Sequence, residues 1–261
     1  MELTTILGII MGIVAVVGAM FFKHIEFSVL INPAAIFVII IGTIATVLNS
    51  FPGQNIKSIG SLFRVLFTKP KGNTEIEVIE LLVELSKKAR IDGLLSLEAK
   101  AEEMKDPFIK KGLRLLVDGA GEEIIEELLE SEISAMEKRH EINASIFSSA
   151  GTYAPTLGVL GAVFGLIAAM SSINDTERMA EAIAAAFIAT ILGIFTGYVL
   201  WNPFAKKLKV KSQQEVMVKQ IIVTGMLSIQ KGDSAFMLKE KLLAVLPPSM
   251  QKKISERTNK E

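Results

Sequence analysis

Four apolar stretches interrupt an otherwise polar chain, at roughly residues 3 to 22, 30 to 51, 146 to 173 and 183 to 201, and none contains an Asp, Glu, Lys, Arg or His. Each is near the ~20 residues that cross ~30 Å of hydrocarbon, so the pattern predicts four membrane-spanning helices. Around the spans the periodicity is also helical. Ile76, Ile79 and Val83 share one face of a predicted helix, as do Ile125, Leu128, Leu129, Ile133 and Met136. No strand pattern competes, and the fold class is all-α: a polytopic membrane protein with four transmembrane helices and a helical cytoplasmic domain. The second amphipathic run continues without a breaker into the third span. A helix from about 122 to 173 would be ~75 Å long at 1.5 Å per residue, so part of it must project beyond the bilayer.

Local signals place the element ends. Asn32 before Pro33 predicts an N-cap and a first-turn proline at the start of the second span. Thr74 with Glu77 predicts a capping box for a helix that ends near Gly93, and Asp106 before Pro107 opens another that breaks between Asp118 and Gly121. After the fourth span, residues 204 to 231 predict one more helix, with Pro203 as a helix stop and Trp201 as an aromatic anchor at the membrane interface. Pro247-Pro248 closes a last short helix, before a polar tail from Gln251 to Glu261 predicted to be disordered.

Charge orients the spans. Of the 28 Lys and Arg residues, only Lys23 and Arg178 lie outside segments 52 to 145 and 202 to 261. The clusters Lys57, Arg64, Lys69, Lys71 and Lys206, Lys207, Lys209, Lys211 follow the second and fourth spans directly, so the positive-inside rule predicts both termini in the cytoplasm. The first span has Glu2 and no basic residue before it and no small-residue cleavage pattern after it, so it predicts a retained helix rather than a signal peptide. The external segments, Lys23 to Val29 and Asn174 to roughly Glu181, are too short to bind anything large. The domain reading is 1–51 for the first two transmembrane helices, 52–145 for a cytoplasmic helical domain, 146–203 for the last two transmembrane helices and 204–261 for a cytoplasmic tail.

Composition excludes several chemistries. With no Cys there is no disulfide, thiolate metal site or Cys nucleophile, and His24 and His140 are poor metal-site material. No Walker loop, metalloprotease spacing or nucleophile elbow occurs. The reading is therefore not an enzyme, with no metal, no cofactor and no nucleic acid among its partners.

The third and fourth spans differ from the first two. Gly161 with Gly165 and Gly193 with Gly197 have the small-xxx-small spacing that lets helix backbones meet in lipid. Thr152, Tyr153, Thr156 and Thr190 add hydroxyls, and Pro155 frees the Gly151 carbonyl four residues earlier. Two readings stand for these groups: an ion-path lining, or hydroxyls bonded back to their own helices beside a packing kink. A membrane proton relay needs an intramembrane Asp, Glu or His. This chain has none in its spans, so a partner must supply the acid.

The stretch from Gly151 through Pro155, Thr156 and Gly158 to Gly161, the stretch from Ala184 through Thr190 to Gly193 ending at Trp201-Asn202-Pro203, and the cytoplasmic run Lys87 to Glu98 together resemble the MotA family of flagellar motor stator subunits. The resemblance covers nearly the whole chain. It implies an ion-conducting subunit in the bacterial inner membrane, a homo-oligomer, in the family a pentamer, around MotB-like single-span chains that bring an intramembrane Asp. It also implies torque on the rotor protein FliG, with 52–145 as the rotor-interacting domain. The resemblance assigns Arg90 and Glu98 to rotor binding, Pro155 and Pro203 to coupling, and Thr156, Ala162, Phe187 and Thr190 to the ion path. Ala162 is typical of proton-driven members, whereas sodium-driven relatives carry a threonine there. The alternatives are an ExbB/TolQ-like energiser, which has three spans and lacks the Arg90 to Glu98 arrangement, and a non-conducting membrane scaffold.

Overall fold

The computed structural model describes residues 2–68, 72, 74–246, 248 and 251. Lys69, Lys71, Pro247 and the tail 252–261, which carried predictions above, lie outside the described residues. The chain divides into two compact units, Met1–Pro70 with Arg139–Lys211 and Lys71–Lys138 with Ser212–Glu261.

The first unit holds the apolar helices. These are α1 (Leu3–Phe22), α2 (Pro33–Ser50), the apolar half of α8 (Glu122–Ser171) and α9 (Thr176–Phe195), joined by the short α3 (Gly53–Lys57) and the amphipathic α4 (Ile59–Phe67). The caps form where the sequence put them: Asn32 accepts from Ala35 N–H at 3.0 Å, with Pro33 in the first turn. The helix that carries the fourth span begins earlier than its apolar stretch. Asp175 caps α9 by accepting from Arg178 N–H at 3.1 Å, so Glu177, Arg178 and Glu181 ride on its first turns rather than in a loop.

Pro203 does not stop the helix. Thr196–Trp201 forms a π-helical segment that leads directly into α10 (Asn202–Gln230). Asn202 N–H donates to Gly197 O, five residues back, and the wider turn gives the proline ring room while the ladder continues. Trp201, predicted as an interface anchor, also packs among aromatic rings. It meets Phe63, Phe147 and Phe204 at ring-centroid distances of 6.5, 6.1 and 6.2 Å, within a cluster that also takes in Phe67. Packing of these rings, edge-to-face except for Phe147 tilted at 36° to Trp201, ties α4, α8 and the start of α10 together.

The second unit is a helical domain built from α5 (Glu75–Asp92), α6 (Glu98–Glu103), α7 (Pro107–Val117), the first part of α8, the second part of α10 and α11 (Ala235–Ala244). Thr74 and Glu77 form the full capping box on α5, and Asp106 accepts from Phe108 N–H at 2.8 Å to start α7. Its core includes Ile79, Leu82, Phe108, Leu113, Leu129 and Ile221. Leu128, predicted on the apolar stripe, is exposed instead, because Ile125, Leu129 and Ile133 already fill the buried side of that helix.

Two glycines separate side-chain packing from backbone packing. A Cβ at Gly225 would lie 2.6 Å from Leu82 Cδ1, whereas one at Gly193 would lie 2.7 Å from Ala154 O and 2.9 Å from Gly158 Cα. Gly225→Ala should therefore lower thermal stability, and Leu82→Ala in the same chain should relieve part of that effect, because a trimmed side chain makes room. Gly193→Ala should find no comparable relief from trimming any single neighbouring side chain. The check is the fraction of protein remaining folded after heating, measured as a double-mutant cycle; additive losses at Gly225 and Leu82 would contradict the packing.

Candidate functional site

The helices α8 and α9 meet backbone to backbone. Gly158 faces Ala189 O and Gly193 Cα, with a Cβ there falling 2.8 and 3.1 Å from them, and Gly165 faces Ala186 and Ala182 O in the same way. The row Ala182, Ala186, Ala189, Gly193 and Gly197 on one side therefore lies against Ala154, Gly158, Gly161 and Gly165 on the other. In a bilayer there is no water to expel between helices, so close packing of small residues is what holds such a pair. The spacing read from sequence predicted close approach; the structure shows that the two glycine pairs approach each other's helix.

The polar groups distribute around this seam. Thr190 donates from Oγ1 to Ala186 O at 3.2 Å, Thr156 to Thr152 O at 3.3 Å and Thr152 to Ser148 O at 3.1 Å. Each hydroxyl is satisfied within its own helix, the back-bonding alternative raised above. The same bond leaves the oxygen's lone pairs open to a further donor. Thr156 is exposed on the chain surface, Thr190 and Ala162 are half-buried, and Phe187 is 66% exposed. Phe187 and Thr190 stand three apart on α9 and share a face. The chain thus leaves a hydroxyl-bearing, apolar surface on its third and fourth spans, whose apolar stretches 146–173 and 183–201 carry no acid of their own.

Pro155 sits inside α8 and its ring touches Gly197, where a Cβ would lie 2.7 Å from Pro155 Cγ and 2.8 Å from Gly151 O. The carbonyl freed by the proline is therefore covered by Gly197 instead of lying open beside the threonines. Pro203 is exposed at the first turn of α10.

Arg90 and Glu98 belong to the second unit. Arg90 occupies the last turn of α5 and Glu98 begins α6, and between them Gly93, at φ 82°, and a 3-10 turn Leu94–Leu97 reverse the chain. Both side chains are exposed and neither finds an ion-pair partner among the described residues. Their neighbours are apolar and open to solvent, Ile91 at 82% and Leu95 at 73% exposure.

Sequence reasoning missed a polar clasp in the first unit. Lys207 Nζ lies 3.1 Å from Glu2 and donates to Thr4 Oγ1 at 3.0 Å and to Thr5 Oγ1. Lys211 Nζ lies 3.2 Å from Glu2 and donates to Val65 O at 2.7 Å and Thr68 O at 2.6 Å. Each ammonium has three acceptors for its three protons, which binds the start of α1, the end of α4 and α10 into one joint. Hydrogen bonds from Lys207, then Lys211, hold the Glu2 carboxyl below its ordinary value of 4.5. No local pattern could show this, because the partners lie at opposite ends of the sequence.

Two family models match the chain, "Motility protein A N-terminal" over residues 6–93 and "MotA/TolQ/ExbB proton channel family" over residues 100–221. Motility protein A of Bacillus subtilis is 49% identical over 98% of this chain and 95% of its own length, and that of Borreliella burgdorferi is 33% identical over 95% of each. The flagellar MotAB stator complex from Bacillus subtilis contains a chain that superposes with a TM-score of 0.90 at 50% identity, covering 95% of this chain and 97% of that one. A chain of C. jejuni MotAB superposes equally well, with a TM-score of 0.90 at 30% identity.

The clasp has a definite pH signature. Because the folded carboxyl of Glu2 titrates below 4.5, its stabilisation is fully present above that value and is lost as pH falls through the lowered folded pKa. Glu2→Gln should lower the thermal midpoint of the purified protein at neutral pH, and the gap to wild type should close as pH drops below 4.5. A gap that stays constant over that range would show that the carboxylate charge is not what holds the joint.

Proposed function

We infer the function from two premises, the first being that the chain belongs to the motility protein A family. The second is the geometry: two glycine-packed spans bearing Thr156, Thr190 and Phe187 and no acid of their own. The protein is the ion-conducting subunit of a bacterial flagellar stator. It couples ion flow, through a complex with a MotB-type partner, to torque on the rotor. The observation that carries this reading is the α8–α9 seam, a rigid small-residue pair presenting hydroxyls on a chain whose spans lack the Asp, Glu or His that a proton relay requires.

The finer parts of the reading rest on the chemistry of particular residues. Several copies of the chain, five by resemblance to the family, surround the partner's single-span helices, so that Thr156, Ala162, Phe187 and Thr190 line the route to the partner's carboxylate. Pro155 and Pro203 transmit the change in that carboxylate's charge to the rest of the subunit. The basic segments after the second and fourth spans hold both termini in the cytoplasm of the inner membrane. Residues 52–145 then form the rotor-interacting domain, and the unpaired charges of Arg90 and Glu98 dock on FliG, where complementary charge sets register more than affinity.

The ion is a proton. A sodium ion giving up hydration water needs several oxygen ligands in its place, and Ala162 offers a methyl group where a hydroxyl would help.

Two arms test the reading in a motile host lacking its own motility protein A and supplied with this chain and its partner. Rotation should collapse with a protonophore at constant sodium and persist when potassium replaces sodium; arrest on sodium removal with the proton gradient intact would overturn the assignment at Ala162. Arg90→Glu or Glu98→Lys should reduce swimming with membrane level and partner association unchanged, and an opposite reversal on the rotor should restore part of it. Wild-type swimming in the double reversal would return both residues to ordinary solvated charges worth under about 1 kcal/mol.

A further inference from the structure

The part of the first unit that the family assignment does not account for is the π-helical segment Thr196–Trp201 and what it grips. A π segment carries one residue more per turn than the α-helix around it, and such segments concentrate at functional sites. Here the surplus is spent facing the kink of the neighbouring helix. Gly197 lies on the Pro155 ring and on Gly151 O, the carbonyl that Pro155 leaves without an amide donor, and Asn202 packs its side chain directly on Gly151. The clasp of Gly197 and Asn202 on Gly151 and Pro155 therefore spans the whole turn that the proline disrupts.

The segment's own hydrogen bonds are arranged for a change of register. Thr196 N–H is shared between Leu192 O and Gly193 O, and its hydroxyl donates to the same two carbonyls at 2.8 and 3.2 Å. The threonine thus places both of its donors on the last α-helical carbonyls before the ladder widens. At the other end Asn202 N–H reaches Gly197 O, and Pro203, having no N–H, supplies no donor to the carbonyls behind it. Tyr198, the bulkiest member after Trp201, is 65% exposed, so the surplus residue is not held by core packing.

We propose that Pro155 and the Thr196–Trp201 segment form one hinge, with Gly197 as the positioning residue that lets the proline-kinked turn of α8 move against α9 when the ion pathway changes charge. Moving the surplus residue in or out of the turn interconverts π and α geometry and shifts what Gly197 presents to Pro155. Any side chain at position 197 would fill the space between them and fix one register, without entering the ion path itself. This rests on the stator reading given above and adds Gly197, Thr196 and the π turn to the residues that transmit motion.

The experiment expresses wild type, Gly197→Ala and a deletion of Tyr198 together with the chain's own partner in a host lacking motility protein A. Rotation speed is read per fluorescently counted stator unit, alongside co-purification with the partner. Deleting one residue from a π turn restores α-helical spacing and keeps the flanking helices in register. The hinge predicts that both variants assemble within about twofold of wild type while speed per unit falls below about a tenth. Normal speed per unit in either variant overturns the proposal. Loss of assembly in proportion to loss of rotation in both variants also overturns it, because that outcome makes Gly197 a packing residue only. Wild type that assembles but turns no motor would count against the stator reading rather than the hinge.

Discussion

The contact of Gly158 with Gly193 is the constraint on which the membrane part of this protein depends. A Cβ on either residue would meet the other's Cα within 3.1 Å, so the α8 and α9 backbones are held at a distance that no other residue type permits. From that distance the rest follows. The face of α9 carrying Ala186, Ala189 and Gly193 is consumed by the seam, which leaves Phe187 and Ile191 turned outward and Thr190 at the edge. The same closeness brings Gly197 onto Pro155 and seals the carbonyl that the proline frees. A looser pair would expose that carbonyl to lipid, where an unsatisfied acceptor is expensive.

Much of this was legible in the sequence because it is written locally. Uncharged apolar stretches give the four spans, and the caps at Asn32, Thr74 and Asp106 follow from a side chain and the amides two or three residues on. The glycine spacing announced close approach because it is a property of one helix face. What the sequence hid was contact between distant residues and departures from regular helix. Glu2 meets Lys207 and Lys211, whose sequence role as topology signals gave no hint that two of them are fully hydrogen-bonded. Pro203 read as a stop because proline normally ends a helix; the π turn before it absorbs the ring and the helix goes on. Nor did the interface position of Trp201 show that three phenylalanines, from α4, α8 and α10, pack around it.

Within the candidate site the residue types were legible in the sequence and their environment was not. The hydroxyls of Thr152, Thr156 and Thr190 all bond back to their helices, so what they present to a neighbour is remaining lone pairs and not free donors. That state suits a proton pathway completed from outside: the chain offers acceptors and a shaped apolar wall, and the titrating group arrives on another helix. The clasp at Glu2 and the aromatic cluster are of a different kind, tying the ends of α1 and α4 to α8 and α10.

The central claim is that this chain shapes an ion path whose acid it does not own, and proton flux into vesicles tests it most directly. Reconstituted alone, the chain should pass protons no faster than empty vesicles; with a single-span partner bearing an intramembrane Asp it should conduct, and Asp→Asn in the partner should return flux to the background. Flux from the chain alone, or undiminished flux with the Asn partner, would contradict the account.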